Sequence, residues 1–331
     1  MKAIGYRQNE AFASFDLPTP TPGPHDLLVK VQAVSVNPVD LKVRANTVVP
    51  AGEIKVLGWD AVGVVEALGA EVKGFAVGER VWYAGSIARP GSDSELHLVD
   101  ARIASYAPKT LDLAHAAALP LTTITAWELL FERLGIARNG GAGKRLLVVG
   151  GAGGVGSILI QLARKLTQLE VITTASRPET QDWVRKMGAH EVIDHSKNIA
   201  EELTRIGRPQ VDYAICLTHT SQHYEALVSA IAPQGKFALI DDPETSIDVR
   251  LLKRKSISLH WELMFTRPIF NTPDLAEQGK LLAEVAALVD AGELHSTLTR
   301  NFGPLTPANL TAAHDWVASG QAIGKGVLVG F

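Results

Sequence analysis

Arg145-Leu-Leu-Val-Val-Gly150-Gly151-Ala-Gly153-Gly154-Val155-Gly156-Ser-Ile-Leu-Ile-Gln-Leu-Ala163 is an apolar run that breaks into glycines and then resumes with helical spacing. Leu146 to Val149 have the uninterrupted apolar character of a buried strand, and Ile158, Leu159, Leu162, Ala163 and Leu166 make one helical stripe. The stretch reads as strand, turn, helix. Gly151, Gly153 and Gly156 fit G-x-G-x-x-G: the first allows a tight turn, the second lets the backbone approach a pyrophosphate, and the third lets helix and strand pack closely. The helix that begins there, with Gly154 and Val155 in its first turn, aims unpaired backbone N–H groups at phosphates. With 29 glycines in 331 residues an ordinary glycine-rich turn is the alternative. The strand before and the stripe after favour a dinucleotide.

Outward from this stretch, the length allows two domains of ordinary size, each burying its own core. Hydrophobic residues make up 46 % and charged residues 20 %, with net charge −3, so neither a nucleic-acid surface nor an acidic tail is expected. The first residues lack a long apolar segment and no apolar run is long enough to span a bilayer, which predicts a cytoplasmic protein without membrane partners. A single cysteine, Cys216, excludes an internal disulfide and any zinc lobe built from several cysteines.

From residue 1 to about 119, short apolar strands are punctuated by Gly and Pro, which predicts a β-rich domain folded as a small distorted barrel. Residues 122–134 read as one helix leading into the next domain. From Lys144 onward strands at 146–149, 170–174, 191–193, 211–216, 235–240 and 256–259 alternate with helices, the pattern of a doubly wound parallel sheet. After about Phe265 the alternation stops. An amphipathic helix at 275–290, a shorter one at 310–318 and a last apolar strand at 326–330 are expected to return to the first domain, because the parallel sheet is already complete.

The second strand of a dinucleotide fold ends at the adenosine ribose, where a carboxylate would hold the 2′-hydroxyl of NAD. Here it ends Thr173-Thr-Ala-Ser176-Arg177-Pro178, with no carboxylate. Ser176 can hydrogen-bond a 2′-phosphate and Arg177 can pair with it bidentately, so NADP(H) is preferred over NAD(H). The alternative is that Arg177 is a solvated loop residue.

Five further segments run in a familiar order: Ser35-Val-Asn37-Pro38-Val-Asp40, Leu57-Gly58-Trp59-Asp60-Ala-Val-Gly63-Val-Val-Glu-Ala-Leu-Gly69, Val77-Gly78-Glu79-Arg80-Val81, Ala117-Ala-Leu-Pro120-Leu-Thr-Thr-Ile-Thr125-Ala-Trp and Gly324-Lys-Gly-Val-Leu-Val. With the glycine loop they cover nearly the whole chain. The sequence resembles a medium-chain dehydrogenase/reductase of the zinc-free, quinone-oxidoreductase-like branch, in its bacterial zinc-type alcohol dehydrogenase-like group. The resemblance implies an α/β fold: a GroES-like β-rich catalytic domain over 1–119, completed by 267–331, and a Rossmann doubly wound parallel-sheet domain over 120–266. It also implies an active cleft between them and a homodimer or tetramer.

In zinc-dependent relatives the position of Asn37 is a cysteine ligand and that of Trp59 a histidine ligand, next to an acidic residue here represented by Asp60. Neither Asn nor Trp offers the thiolate or imidazole that zinc prefers, so no metal is expected. Without a Lewis acid, polarising an alcohol is hard, whereas a quinone or an α,β-unsaturated carbonyl (an enone) is already activated toward hydride. The resemblance puts Asn37 beside the nicotinamide, with its amide offered to the substrate carbonyl or the cofactor amide, and Asp40 and Thr125 in the same cleft. Trp59 would wall off water or stack on a planar quinone. His195 stands where relatives place a tyrosine near the 2′-phosphate, and its charge would make NADPH binding depend on pH. Leu217 and His219 fall near the nicotinamide ribose, Ile240 closes the fifth strand, and Lys325 is a candidate late phosphate contact. The expected activity is NADPH-dependent reduction of quinones or enones, with alcohol/aldehyde oxidoreduction and a non-catalytic NADPH sensor as alternatives.

Two other features have blander readings. Cys216-x-x-His219-x-x-x-His223 resembles a ligand spacing but begins inside a buried strand. The segment from Ser256 to Trp261 is an apolar strand that can pair edge to edge across a dimer.

Overall fold

The computed structural model describes residues 1–331, and the chain divides into two compact units, Met1–Ile124 with Met264–Phe331, and Thr125–Leu263. The first border falls inside the helix Pro120–Trp127.

The second unit is built on six strands: β1 (Arg145–Val149), β2 (Glu170–Thr174), β3 (Glu191–Ile193), β4 (Val211–Cys216), β5 (Ile231–Leu239) and β6 (Ser258–Trp261). They lie in the order β3-β2-β1-β4-β5-β6 and every neighbouring pair is parallel. This is the doubly wound order, whose strand sequence reverses beside β1, so the carboxyl ends of β1 and β4 open the crevice where such sheets take ligands. The crossovers include α1 (Gly154–Leu166), α2 (Pro178–Lys186), α3 (Ile199–Arg205) and α4 (Thr220–Ala230). Leu147, Val149, Ile172, Phe237 and Leu239 pack with Cys216 in the core. Burial there pushes the Cys216 thiol up to about 12.

The helix expected over 122–134 is not one regular helix. It is α-helical over Pro120–Trp127, and Glu128–Arg133 then winds as a π-helix, with the Leu134 N–H bonded to the Leu129 carbonyl at 3.0 Å. In that wider turn the Arg133 guanidinium meets two buried carboxylates, Glu128 at 3.4 Å and Glu262 at 2.5 Å.

The first unit holds a seven-stranded sheet around the long strand Asp26–Val36. Ala61–Leu68 and Leu96–Asp100 pair with it, as does Lys325–Val329 from the far end of the chain, antiparallel, with Gly326 opposite Val36. That pairing brings Lys325 beside the segment that begins at Asn37. Most residues of its central strands are buried, with Leu27, Val29, Val65, Val81 and Val327 all at or below 1 % exposure.

Candidate active site

At the end of β1 the chain turns through Gly150, whose φ of +87° lies in the left-handed region that favours glycine. A Cβ on Gly151 would stand 1.9 Å from Thr173 Oγ1, and one on Gly156 would stand 2.6 Å from the Gly150 carbonyl oxygen. Both glycines are therefore dictated by close packing. Gly153 is different: a Cβ there would meet only the Gly150 oxygen, at 3.7 Å. Gly153 caps α1, whose first internal hydrogen bond is donated by the Ser157 N–H to the Gly153 carbonyl at 2.9 Å. The amides of Gly154, Val155 and Gly156 precede that bond and have no acceptor within the helix. Open space beside the glycine cap and unpaired amides at a helix start fit a dinucleotide pyrophosphate.

Ser176 and Arg177 follow β2 directly, both half-buried, and Arg177 caps α2. Its Nε lies 3.1 Å from Glu179 Oε1. One contributor is not evident from sequence: the Thr174 hydroxyl accepts the Gly150 N–H at 3.1 Å and meets His195 Nδ1 at 3.1 Å, which joins the glycine turn to His195. Only knowledge of the β1–β2 register brings Thr174 beside Gly150. Leu217 is bonded through its N–H to the Val149 carbonyl at 3.1 Å. His219 is exposed and left-handed (φ 53°) at the start of α4, and Ile240 lies just past β5. The candidate residues from Gly151 to Ile240 thus all follow the carboxyl ends of parallel strands. Thr125 lies instead in the helix Pro120–Trp127 and is 5 % exposed.

The first unit gathers Asn37, Asp40, Trp59 and Lys325 and changes the reading of each. Asn37 is 1 % exposed. Its Nδ2 donates to Asp60 Oδ2 at 3.2 Å and to the Ser35 carbonyl at 3.4 Å, and its Oδ1 accepts from Lys325 Nζ at 2.5 Å. Both hydrogens of that amide are engaged within the protein, so it has no spare donor for a substrate carbonyl. Asp40 accepts the Asn37 N–H at 2.5 Å and so holds the start of the helix Pro38–Asn46. Trp59 is fully buried, its indole N–H donates to the Ser86 carbonyl at 2.9 Å, and its ring meets Phe265 edge-on. It is a core residue and presents no face for a quinone. The expected phosphate contact of Lys325 is also corrected: its ammonium is buried and bonds to the Val36 carbonyl at 2.9 Å, Asn37 Oδ1 and, at 3.3 Å, Asp60 Oδ2.

Asp60 has the fullest set of protein donors in this group, because it accepts from Ser35 Oγ at 2.7 Å, from the Leu121 N–H at 3.2 Å and from Asn37 as well as facing Lys325. Burial pushes Asp60 up and Lys325 down, and each partner holds the other back. Burial lifts Asp40 to about 7 against the pull of the Asn37 amide and the Lys325 ammonium. Asp93 is lifted well above the carboxylate range by burial and by Asp40. The one ammonium thus acts on two of these carboxyls, Asp60 at 3.3 Å and Asp40, and Asp60 is the one it pairs with directly.

These residues do not fit a zinc ion. The Asn37 amide oxygen is held by an ammonium, the Trp59 indole can only donate, and Lys325 would repel a cation. No group of three or more His, Cys, Asp or Glu side chains is arranged to hold a metal. In particular, the Cys216 thiol faces the Thr218 carbonyl at 3.3 Å and takes no part with His219 or His223.

Comparison with known proteins covers both units. Residues 23–103 match the alcohol dehydrogenase GroES-like domain and residues 187–328 a zinc-binding dehydrogenase domain. A zinc-type alcohol dehydrogenase-like protein of Staphylococcus aureus is 40 % identical, with 99 % of each chain covered. The crystal structure of a candidate zinc-dependent alcohol dehydrogenase protein from Rhizobium etli is 53 % identical at a TM-score of 0.96, covering 100 % of this chain and 98 % of that one. The quinone oxidoreductase from Coxiella burnetii is 26 % identical at a TM-score of 0.80, with 99 % of each chain covered.

Proposed function

The chain belongs to the medium-chain dehydrogenase/reductase superfamily, among the zinc-type alcohol dehydrogenase-like proteins, and from that premise we propose that it reduces quinones or α,β-unsaturated carbonyls with NADPH and without zinc. The observation that carries this reading is the Lys325 ammonium bonded to Asn37 and 3.3 Å from Asp60, where zinc-dependent relatives are built around a metal. Residues that engage an ammonium and do not fit zinc suit an acceptor that is already activated.

The cofactor would be held by the amides of Gly154, Val155 and Gly156 at its pyrophosphate, and by Ser176 and Arg177 at its 2′-phosphate. When bound, the reduced nicotinamide supplies hydride. The buried groups then act by position: Lys325 fixes the Asn37 amide, and Asp40 fixes the Asn37 main chain. The reading takes the protein as a cytoplasmic homodimer. Strand β6 at the sheet edge, with Trp261 53 % exposed, supports pairing between copies. No helix is long and apolar enough to cross a membrane.

Stopped-flow oxidation of NADPH with a panel of quinones and enones tests the activity. Turnover with at least one acceptor is expected, and NADPH binding without oxidation by any of them favours a sensor instead. Stoichiometric zinc in the purified protein would overturn the metal-free part. Arg177→Ala is expected to raise the KM for NADPH several-fold more than that for NADH.

A further inference from the structure

Three histidines gather at the carboxyl edge of the second unit's sheet: His195 after β3, His219 after β4 and His223 in the first turn of α4. The rings of His195 and His223 meet edge-on, 6.1 Å between centroids. His219 acts electrostatically on both. Within the chain, hydrogen bonds engage one nitrogen of His195, with Thr174, and one of His219, with Thr218 at 2.7 Å. Arg177 completes the group through its field on His195.

The carboxylates that face these rings are already engaged by donors. Asp194 accepts the Ser196 N–H at 2.9 Å and its hydroxyl at 2.7 Å. Asp241 accepts the Thr220 N–H at 2.9 Å and the Thr220 hydroxyl. Arg177, which also pairs with Glu179 at 3.1 Å, acts on His195 as a like charge, so a protonated cluster suits an anion better than a cation. Through Thr174, which touches both Gly150 and His195, it is continuous with the glycine turn.

We propose that His195, His219 and His223 form a proton-gated receptor for a phosphate monoester, the 2′-phosphate of NADPH, in which the anion binds together with a proton taken onto the imidazoles. The proposal rests on the cofactor assignment above and adds His219, His223 and the proton to it. In the ligand-free cluster, burial holds His195 and His223 below the ordinary imidazole range, with Arg177 adding to the effect at His195, so they are neutral near pH 7. A dianion reverses that balance: each proton taken up turns a ring nitrogen into a charged N–H donor to a phosphate oxygen. Affinity for NADPH then rises as pH falls, until near pH ~6 the phosphate itself takes a proton and the gain levels off.

Isothermal titration of NADPH and of NADH, each in two buffers of different ionisation heat, reads the protons taken up on binding. NADPH is expected to take up about one proton more than NADH, and the NADPH preference to grow by up to about tenfold per pH unit between about pH 8 and pH 6.5. His223→Gln and the exposed His219→Gln are each expected to reduce the extra uptake, and His223→Gln to leave NADH affinity within about twofold, with folding checked by thermal unfolding. NADPH binding with the same proton uptake as NADH overturns the histidine receptor and leaves the cofactor assignment standing. Equal proton uptake by both dinucleotides that the variants abolish overturns it too, by assigning the histidines to the shared adenosine diphosphate. Failure of both dinucleotides to bind at any pH removes the cofactor assignment and this proposal with it.

Discussion

Lys325 Nζ lies 3.3 Å from Asp60 Oδ2, with 3 % and 0 % of the two side chains exposed. The strand Lys325–Val329 pairs with Asp26–Val36 and carries the ammonium to the carboxylate from the far end of the chain. Removing one partner of such a pair leaves a buried charge uncompensated. Lys325→Met is therefore expected to lower unfolding stability by about 3–5 kcal/mol, and adding Asp60→Asn to recover a large part of it. Denaturant unfolding of the two single variants and the double variant checks this. Strict additivity would show that the pair is not coupled.

Gly153 and Gly156 separate binding from folding. An alanine at 156 would place its Cβ 2.6 Å from a backbone oxygen, so Gly156→Ala is expected to cost about 1–3 kcal/mol of stability. Gly153→Ala meets no atom closer than 3.7 Å and is expected to fold within about 1 kcal/mol of the parent. Its methyl group would nonetheless occupy the pyrophosphate space, so NADPH affinity is expected to fall at least tenfold. Normal NADPH binding by Gly153→Ala would remove the pyrophosphate from this turn.

Asp40 ties stability to pH. Its folded value of about 7 stands above the ordinary carboxylate value, so the native state binds the proton more tightly than the unfolded chain does. Its contribution is full below about pH 4 and is lost as pH rises through about 7. Asp40→Asn keeps an acceptor for the Asn37 N–H and carries no titrating proton. Its melting temperature is expected to fall less between about pH 5 and pH 8 than that of the parent. Parallel melting curves for the two proteins would reject a raised Asp40.

His314 is a buried imidazole against Phe12, 4.9 Å between ring centroids, and neither ring nitrogen has a hydrogen-bond partner. Burial and the nearby Arg44 hold it down to about 4. Its folded value is depressed, so its stability contribution is full above the unfolded value near 6.5 and lost as pH falls toward 4. His314→Leu is expected to raise stability by about 1 kcal/mol at neutral pH and by more near pH 5, read from chemical unfolding at both. A variant less stable than the parent at both would refute the unpaired ring.

The glycine turn, the alternation behind the parallel sheet and the absence of a carboxylate after Thr174 were legible in the sequence, because each rests on local periodicity or on neighbours in the chain. That Asn37 and Trp59 are poor zinc ligands was legible too, because donor chemistry belongs to the residue type. What these residues do was not. Asn37 reads as a free amide until the strand Lys325–Val329 pairs with Asp26–Val36 and brings an ammonium to its oxygen. Trp59 reads as a cleft residue until the Ser86 carbonyl and Phe265 enclose it. Hydrogen-bonding capacity is a property of the side chain, whereas its engagement depends on partners brought from distant segments. The tertiary structure alone decided that the candidate catalytic trio is buried, that Lys325 serves Asn37 and Asp60, and that His195 after β3 meets His223 from the start of α4 at one edge of the sheet.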